Sequence, residues 1–335
     1  MGQHKINWVV AGMVLLLGAC APVQGVTLFS SDYLMQTYAV FKGGTSPTDM
    51  TFAPGGDLYV TYQEQIEYGR DGVIYKVSPD RTASLFADGL VDPKTITWGG
   101  GTAYGDYLYV ADKFEKTNWT KGEVTRISLD GTKSPFAGQG FNQPTPVAID
   151  RYGNFGGSMY VGTGVSDSIY RVTSDGSTEL FHYFGAYAIA GTPWDIAFAP
   201  QNAYGGLMYV ATEFPDDRAI SGILAFQPDG TFSAFAPELI LAHSLEFDTT
   251  GLMFGGALYA YGGAGYGRRI WRVAEDGSTE ALAYVLNGVF TFGPDGAMYV
   301  AEVLNDTTVI SRVFVPEPAS LILFALGGLV LRRRR

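Results

Sequence analysis

The chain has 335 residues, of which 47% are hydrophobic, 14% aromatic and 16% charged, with 44 glycines. So much apolar material excludes a disordered chain and suffices for a large core, and the glycine and aromatic content suits many short strands joined by tight turns. The formal net charge is −11 overall, and between the two ends 17 basic residues stand against 32 acidic ones, a surface that repels nucleic acid and anionic lipid.

The first element is a leader. Lys5 precedes an apolar run from Val9 to Leu17 and the small residues Gly18-Ala19-Cys20-Ala21. A positive start, an apolar stretch and a small-residue exit predict a signal peptide over residues 1–25; the run is too short for a normal spanning helix. Two cleavages stay open. Leu17-Gly18-Ala19-Cys20 resembles a lipoprotein signal in which Cys20 is lipidated, whereas Val23 and Gly25 suit an ordinary cut after Gly25. Cys20 is the sole cysteine of the sequence, so residues 26–315 hold neither a disulfide framework nor a cysteine zinc site.

The body is a repeat. One tripeptide recurs at Leu58-Tyr59-Val60, Leu108-Tyr109-Val110, Met159-Tyr160-Val161, Met208-Tyr209-Val210, Leu258-Tyr259-Ala260 and Met298-Tyr299-Val300, with tyrosine spacings of 50, 51, 49, 50 and 40. Each is preceded by a short apolar strand, such as Met50 to Phe52 or Ile196 to Phe198, and followed by a second apolar motif, such as Ile74-Tyr75-Lys76-Val77. Then comes a turn: Asp80-Arg81 in the first unit, and Asp130-Gly131, Asp175-Gly176, Asp229-Gly230 and Asp276-Gly277 after it. Asp-Gly between apolar runs is a hairpin signal, because glycine accepts positive φ. An outer strand follows, as at Ser84-Leu85-Phe86. Four strands per unit of about fifty residues predict a propeller blade. The sixth unit reaches Pro316 without an outer strand, while Thr37-Tyr38-Ala39-Val40-Phe41 stands alone near the N-terminus. The expected fold is therefore an all-β, six-bladed β-propeller over residues 26–315, closed by that N-terminal strand so that no sheet edge stays open. Segments Gln63 to Asp71, Phe114 to Lys121 and Phe214 to Ala219 read as inserted loops.

These repeats, and above all Phe292-Gly293-Pro294-Asp295-Gly296-Ala297-Met298-Tyr299-Val300-Ala301-Glu302, resemble the NHL and SMP-30/gluconolactonase-like group of propellers over residues 37 to 315. The resemblance implies the fold; the group hosts binding, lactonase and scaffold roles alike.

Candidate chemistry sits where the innermost strands surround the axis. Three positions before Phe52, Trp98, Ile149, Phe198, Phe247 and Phe292 stand Asp49, Thr95, Pro146, Asp195, Ser244 and Val289. Asp49 and Asp195 belong to opposite units, and with His243 and Asn287 nearby they are candidates for oxygen ligation of Ca²⁺. In the lactonase-like relatives a channel metal polarises the substrate, and their glutamate, asparagine and aspartate set does not map fully onto this sequence. Thr95, His243, Ser244 and Asn287 are expected to line the channel. Asp112, Glu213 and Glu302 are expected to hydrogen-bond loop backbone, and His182 to be a surface histidine.

The last element is Val315-Pro316-Glu317-Pro318-Ala319-Ser320, an apolar run from Leu321 to Leu331, then Arg332, Arg333, Arg334 and Arg335. It resembles a PEP-CTERM sorting signal over residues 316–335, which implies processing by an exosortase and a bacterial surface or matrix address. The apolar run suits transient residence in a membrane, with the arginines holding its end on the cytoplasmic side. Two functions follow. One is an exported, surface- or matrix-associated propeller that binds extracellular polysaccharide or an envelope protein. The alternative is a metal-dependent lactonase or related hydrolase built on Asp49 and Asp195.

Overall fold

The computed structural model describes residues 25–43, 46–66, 69–114, 120–185, 192–213, 222–263 and 268–316. The leader, with Cys20, and the segment from Glu317 to Arg335 lie outside the described residues. Each tyrosine tripeptide lies in the second strand of an antiparallel sheet, and six such sheets make the blades. Blade 1 is Ser46–Phe52, Leu58–Ile66, Gly69–Val77 and Ala83–Leu90. Blade 2 is Pro93–Trp98, Tyr107–Asp112, Gly122–Ser128 and Lys133–Phe141. Blade 3 is Pro144–Ile149, Met159–Thr163, Ser168–Val172 and Thr178–Tyr183. Blade 4 is Thr192–Phe198, Met208–Glu213, Gly222–Phe226 and Phe232–Ala236. Blade 5 is Ala242–Phe247, Leu258–Gly262, Arg269–Val273 and Thr279–Tyr284.

Blade 6 has Gly288–Phe292, Met298–Leu304 and Thr307–Phe314 from the end of the body and Leu34–Phe41 from its start. The register runs from Leu34↔Phe314 to Phe41↔Thr308, so the closing strand is three residues longer than the pattern suggested. A feature without a sequence signal lies just before it. Thr27–Leu28 adds a fifth strand to the outer edge of blade 5, with Thr27 opposite Tyr284. The front of the body thus straps two neighbouring blades together.

The repeated residues have repeated roles. Tyr59, Tyr109, Tyr160, Tyr209 and Tyr259 are almost wholly buried. The Tyr109, Tyr160, Tyr209 and Tyr259 hydroxyls each donate to a carbonyl five residues earlier, at 2.6–3.2 Å, which ties down the turn between first and second strands. Tyr59, Tyr109, Tyr160 and Tyr209 meet the outer-strand rings of Phe86, Phe136, Phe181 and Phe235 edge-on at 4.7–5.0 Å. An aromatic that buries a ring and still satisfies its hydroxyl suits this position. The glycine of each Asp-Gly turn has φ between 81° and 87°. A Cβ at Gly277 would also meet the Phe235 carbonyl oxygen of the preceding blade at 2.1 Å, and one at Gly176 the Phe136 oxygen at 2.4 Å. Glycine is required there twice over, for the turn and for the close approach of the next blade.

Two expectations need correction. Gln63 to Asp71 is not a loop insertion. The ladder continues from Leu58↔Val77 to Ile66↔Gly69, because hairpin hydrogen bonds propagate through polar residues once the register is set. In the other two segments, residues 115–119 and 214–221 lie outside the described ones. His182 is not a surface histidine. Its ring lies 4.7, 5.1 and 5.2 Å from those of Phe184, Phe226 and Phe232, and burial lowers its pKa.

Candidate functional site

The inner strands all start at one end of the molecule and run to the other, so equivalent positions form rings about the axis. Two cavities share that axis. The upper one, at the strand starts, has a volume of about 290 Å³ and is lined by Lys94, Trp194, His243, Tyr261, Arg268 and Asn287 together with Thr95 and Ser244. The lower one, of about 160 Å³, is lined by Asp49, Asp195 and Glu246 with Arg151 and Tyr152. Ser244 borders both. The structure therefore divides the expected set. Thr95, His243, Ser244 and Asn287 line the upper mouth, while Asp49 and Asp195 lie below it.

The aspartates are inter-blade clasps. Asp49 Oδ2 accepts from the Ile96 N–H of blade 2 at 2.8 Å. Asp195 Oδ2 accepts from the Leu245 N–H of blade 5 at 2.7 Å, and its Oδ1 from Ile196 N–H at 2.8 Å. Thr95 does the same with a hydroxyl: Oγ1 accepts from Val147 N–H at 2.7 Å and donates to the Thr145 carbonyl at 3.0 Å. In each case the side chain reaches the residue one place further along the next inner strand. The register irregularities after Pro93, Pro144 and Ala242 lie just before these three N–H groups. Bulges leave a backbone group unpaired and admit proline. Blade 5 joins blade 6 differently, through Glu246 Oε1, which accepts from Thr291 Oγ1 at 2.8 Å and Phe292 N–H at 3.4 Å.

Burial dominates the electrostatics of the lower cavity. It pushes Asp195 up to about 7, against the backbone and Ser244 hydrogen bonds that favour its charge. It raises Asp49 well above the usual carboxylate range, and the Asp195 charge adds to that effect. Glu246 is raised well above its ordinary value by burial, opposed by its bond to Thr291. Three carboxyl groups around one narrow channel cannot all ionise cheaply.

The upper cavity is different in kind. The Lys94 ammonium lies 2.9 Å from a carboxylate oxygen of wholly buried Asp92. His243 packs edge-on against Trp194 at 4.8 Å. Burial, then the nearby Arg268 charge, push the imidazole down to about 4, which leaves it neutral at physiological pH. Arg268 and Tyr261 line the cavity side by side. Among the described residues no carboxylate lines this cavity.

Ca²⁺ takes six to eight oxygen ligands. The residues here do not fit one. The oxygens of Asp49 and Asp195 accept from backbone N–H groups, and among the described residues no group of three or more His, Cys, Asp or Glu side chains converges as a metal site.

Sequence reasoning missed Lys94, Tyr261, Arg268 and Glu246. Glu246 left a signal. The column one place before the aligned aromatic reads Thr51, Thr97, Ala148, Ala197, Glu246 and Thr291, one acid among small residues. Arg268 left none, since it enters from the hairpin of another strand pair. The loop-clamping acids are where expected: Asp112 accepts from Val91 and Asp92 N–H at 2.7–3.0 Å, and Glu302 from Leu286 N–H at 2.9 Å. The side chain of Glu213 lies outside the described residues.

Residues 314–335 match the PEP-CTERM protein-sorting motif. The chain ends in a PEP-CTERM sorting signal. That signal marks an exported bacterial protein processed by exosortase and associated with the cell envelope. No helix among the described residues is long and apolar enough to cross a membrane. No curated protein matches the chain in sequence. Solved propellers are similar in fold. A gluconolactonase from Xanthomonas campestris is 15% identical with a TM-score of 0.59, covering 87% of this chain and 94% of its own. Virginiamycin B lyase from Staphylococcus aureus is 11% identical with a TM-score of 0.56, covering 85% and 100%. An auxiliary nutrient binding protein from Bacteroides thetaiotaomicron is 10% identical with a TM-score of 0.62, covering 84% and 76%. A hydrolase, a lyase and a binding protein on one fold leave function to the site.

Proposed function

We propose that the mature chain is a surface- or matrix-associated binding protein whose ligand, an extracellular polysaccharide or an envelope component, enters the upper mouth. One observation carries this reading: the upper cavity is concave, aromatic on one side and supplied with convergent polar groups, as ligand sites are, while the carboxylates below are occupied with joining blades. The polypeptide path supports it. Thr307–Phe314 runs towards the lower end of the axis, so the described residues end on the face opposite the mouth. Screening the full chain against an array of bacterial exopolysaccharides tests the proposal. Binding that Trp194→Ala abolishes is the expected result; binding to none of the polymers, or binding indifferent to that substitution, would remove the mouth as the ligand site.

The lactonase reading has weaker support. It rests on the Asp49 and Asp195 carboxyls lining one cavity, and both are already engaged by backbone N–H groups. Lactone hydrolysis that is lost in Asp195→Asn would revive it.

A further inference from the structure

We propose that the ligand of the upper mouth is an acidic saccharide, with a carboxylate held by Arg268 and Lys94 and its ring against Trp194; this rests on the mouth being the ligand site. The charge pattern is the first ground. The body carries 32 acidic residues against 17 basic ones, yet the described lining of the upper cavity holds Lys94 and Arg268 and no carboxylate. Two cations in one lining, Lys94 paired with buried Asp92 behind it, are not what the composition of an acidic protein alone would place there. They attract anions locally while the rest of the surface repels them.

The two cations are positioned rather than loose. Lys94 is only 17% exposed, and its partner Asp92 is fully buried, so the ammonium is fixed at the rim and still has donors to offer. Arg268 lies beside Tyr261, whose hydroxyl accepts from Gly288 N–H at 3.2 Å. Among the described residues no carboxylate lies within ion-pair distance of Arg268. Arginine offers a planar fork that matches a carboxylate.

The remaining lining selects against a bare anion. Trp194 and His243 form an aromatic wall, and His243, being neutral, adds a donor and an acceptor rather than charge. Ser46, Thr48 and Asn287 also line the cavity. Hydroxyl and amide groups facing an aromatic wall are what a polyhydroxylated ring needs, and a volume near 290 Å³ stands at the small end of ligand pockets, about 300–1,000 Å³. One charged sugar residue of a longer polymer fits those terms.

Calorimetry on the full chain, with trigalacturonate, maltotriose and citrate as probes, tests the proposal. Trigalacturonate should bind, and maltotriose and citrate should each bind at least about tenfold more weakly, since each lacks one half of the recognition. Arg268→Gln should weaken trigalacturonate roughly ten- to hundredfold, and Arg268→Lys should restore part of that loss, with melting curves confirming folded protein. Equal binding of maltotriose, insensitive to Arg268→Gln but lost in Trp194→Ala, would overturn the acidic ligand and keep the mouth. Equal binding of citrate would reduce the site to a general anion site and overturn the sugar. Binding of any probe unaffected by both substitutions would overturn mouth and ligand together. No binding of any probe would overturn the acidic saccharide and leave the mouth to the exopolysaccharide array.

Discussion

The two cavities on the propeller axis are built from the same six strands, yet they hold opposite chemistry. The lower one gathers Asp49, Asp195 and Glu246; the upper one gathers Lys94, Arg268, Trp194 and His243. The difference lies in what each group is bonded to. Below, the carboxyls reach sideways into the next blade and accept from its backbone N–H groups. Above, Thr95 and Tyr261 also reach a neighbouring blade, but Lys94, Trp194, His243 and Arg268 come from strand starts and a hairpin end. A buried polar group without a partner is costly, so the lower residues serve closure, while the upper ones line an open mouth. Substitutions of the blade clasps, Thr95 of the upper lining included, should therefore move stability, and substitutions of the rest of the upper lining should move binding.

The largest effect is expected at Asp195. In the fold it stays protonated up to about pH 7 because burial raises its pKa, whereas in an unfolded chain it ionises near pH 4. Its stabilising contribution is whole below about pH 4 and is lost as pH rises through about 7. The amide in Asp195→Asn would keep an acceptor for Leu245 N–H without the charge, while giving up the bond from Ile196 N–H to Oδ1. The substitution should thus stabilise the protein at pH 8 by roughly 2–4 kcal/mol and by little near pH 4. Thermal melts across that range check it; a midpoint at pH 8 that is unchanged or lower would mean that the carboxylate is solvated and unstrained.

Thr95→Val comes next. Valine keeps the shape and removes both hydrogen bonds, leaving the Val147 N–H and Thr145 carbonyl without them. A loss of about 1–3 kcal/mol follows, measurable by urea denaturation. A variant as stable as the parent would show that channel water replaces the hydroxyl, and the clasp would lose its meaning.

The smallest change in stability belongs to the mouth. Arg268→Gln should shift the unfolding free energy by under about 0.5 kcal/mol, at pH 5 and pH 8 alike. If it costs as much as Thr95→Val, Arg268 is part of the framework and the contrast between the cavities fails.

Much of the fold was legible in the chain. The tyrosine tripeptides and Asp-Gly turns mark the second strand and the third turn of each blade, because a recurring burial and a recurring positive φ demand recurring residue types. Thr37 to Phe41 was legible as the missing strand for the same reason, without the three residues that begin it at Leu34. Thr27–Leu28 was not, since two residues carry no period, and the hairpin at Gln63 was hidden by its polar side chains. The aligned column containing Asp49, Thr95 and Asp195 located the axis correctly and misjudged what those side chains do there, since a carboxylate facing a channel and a carboxylate bonded across a blade joint are spelled alike.

Sequence alone determined the blade number, the closing strand and the sorting signal at residues 314–335, because each depends on local pattern repeated or placed at a fixed position. Tertiary structure alone decided which residues share a cavity. Lys94, Trp194, Tyr261 and Arg268 lie up to 174 positions apart in the chain and on three different blades, and only ring closure turns the starts of those strands towards one mouth. Pairing is a property of neighbours along the chain; a site on the axis of a propeller belongs to the ring as a whole.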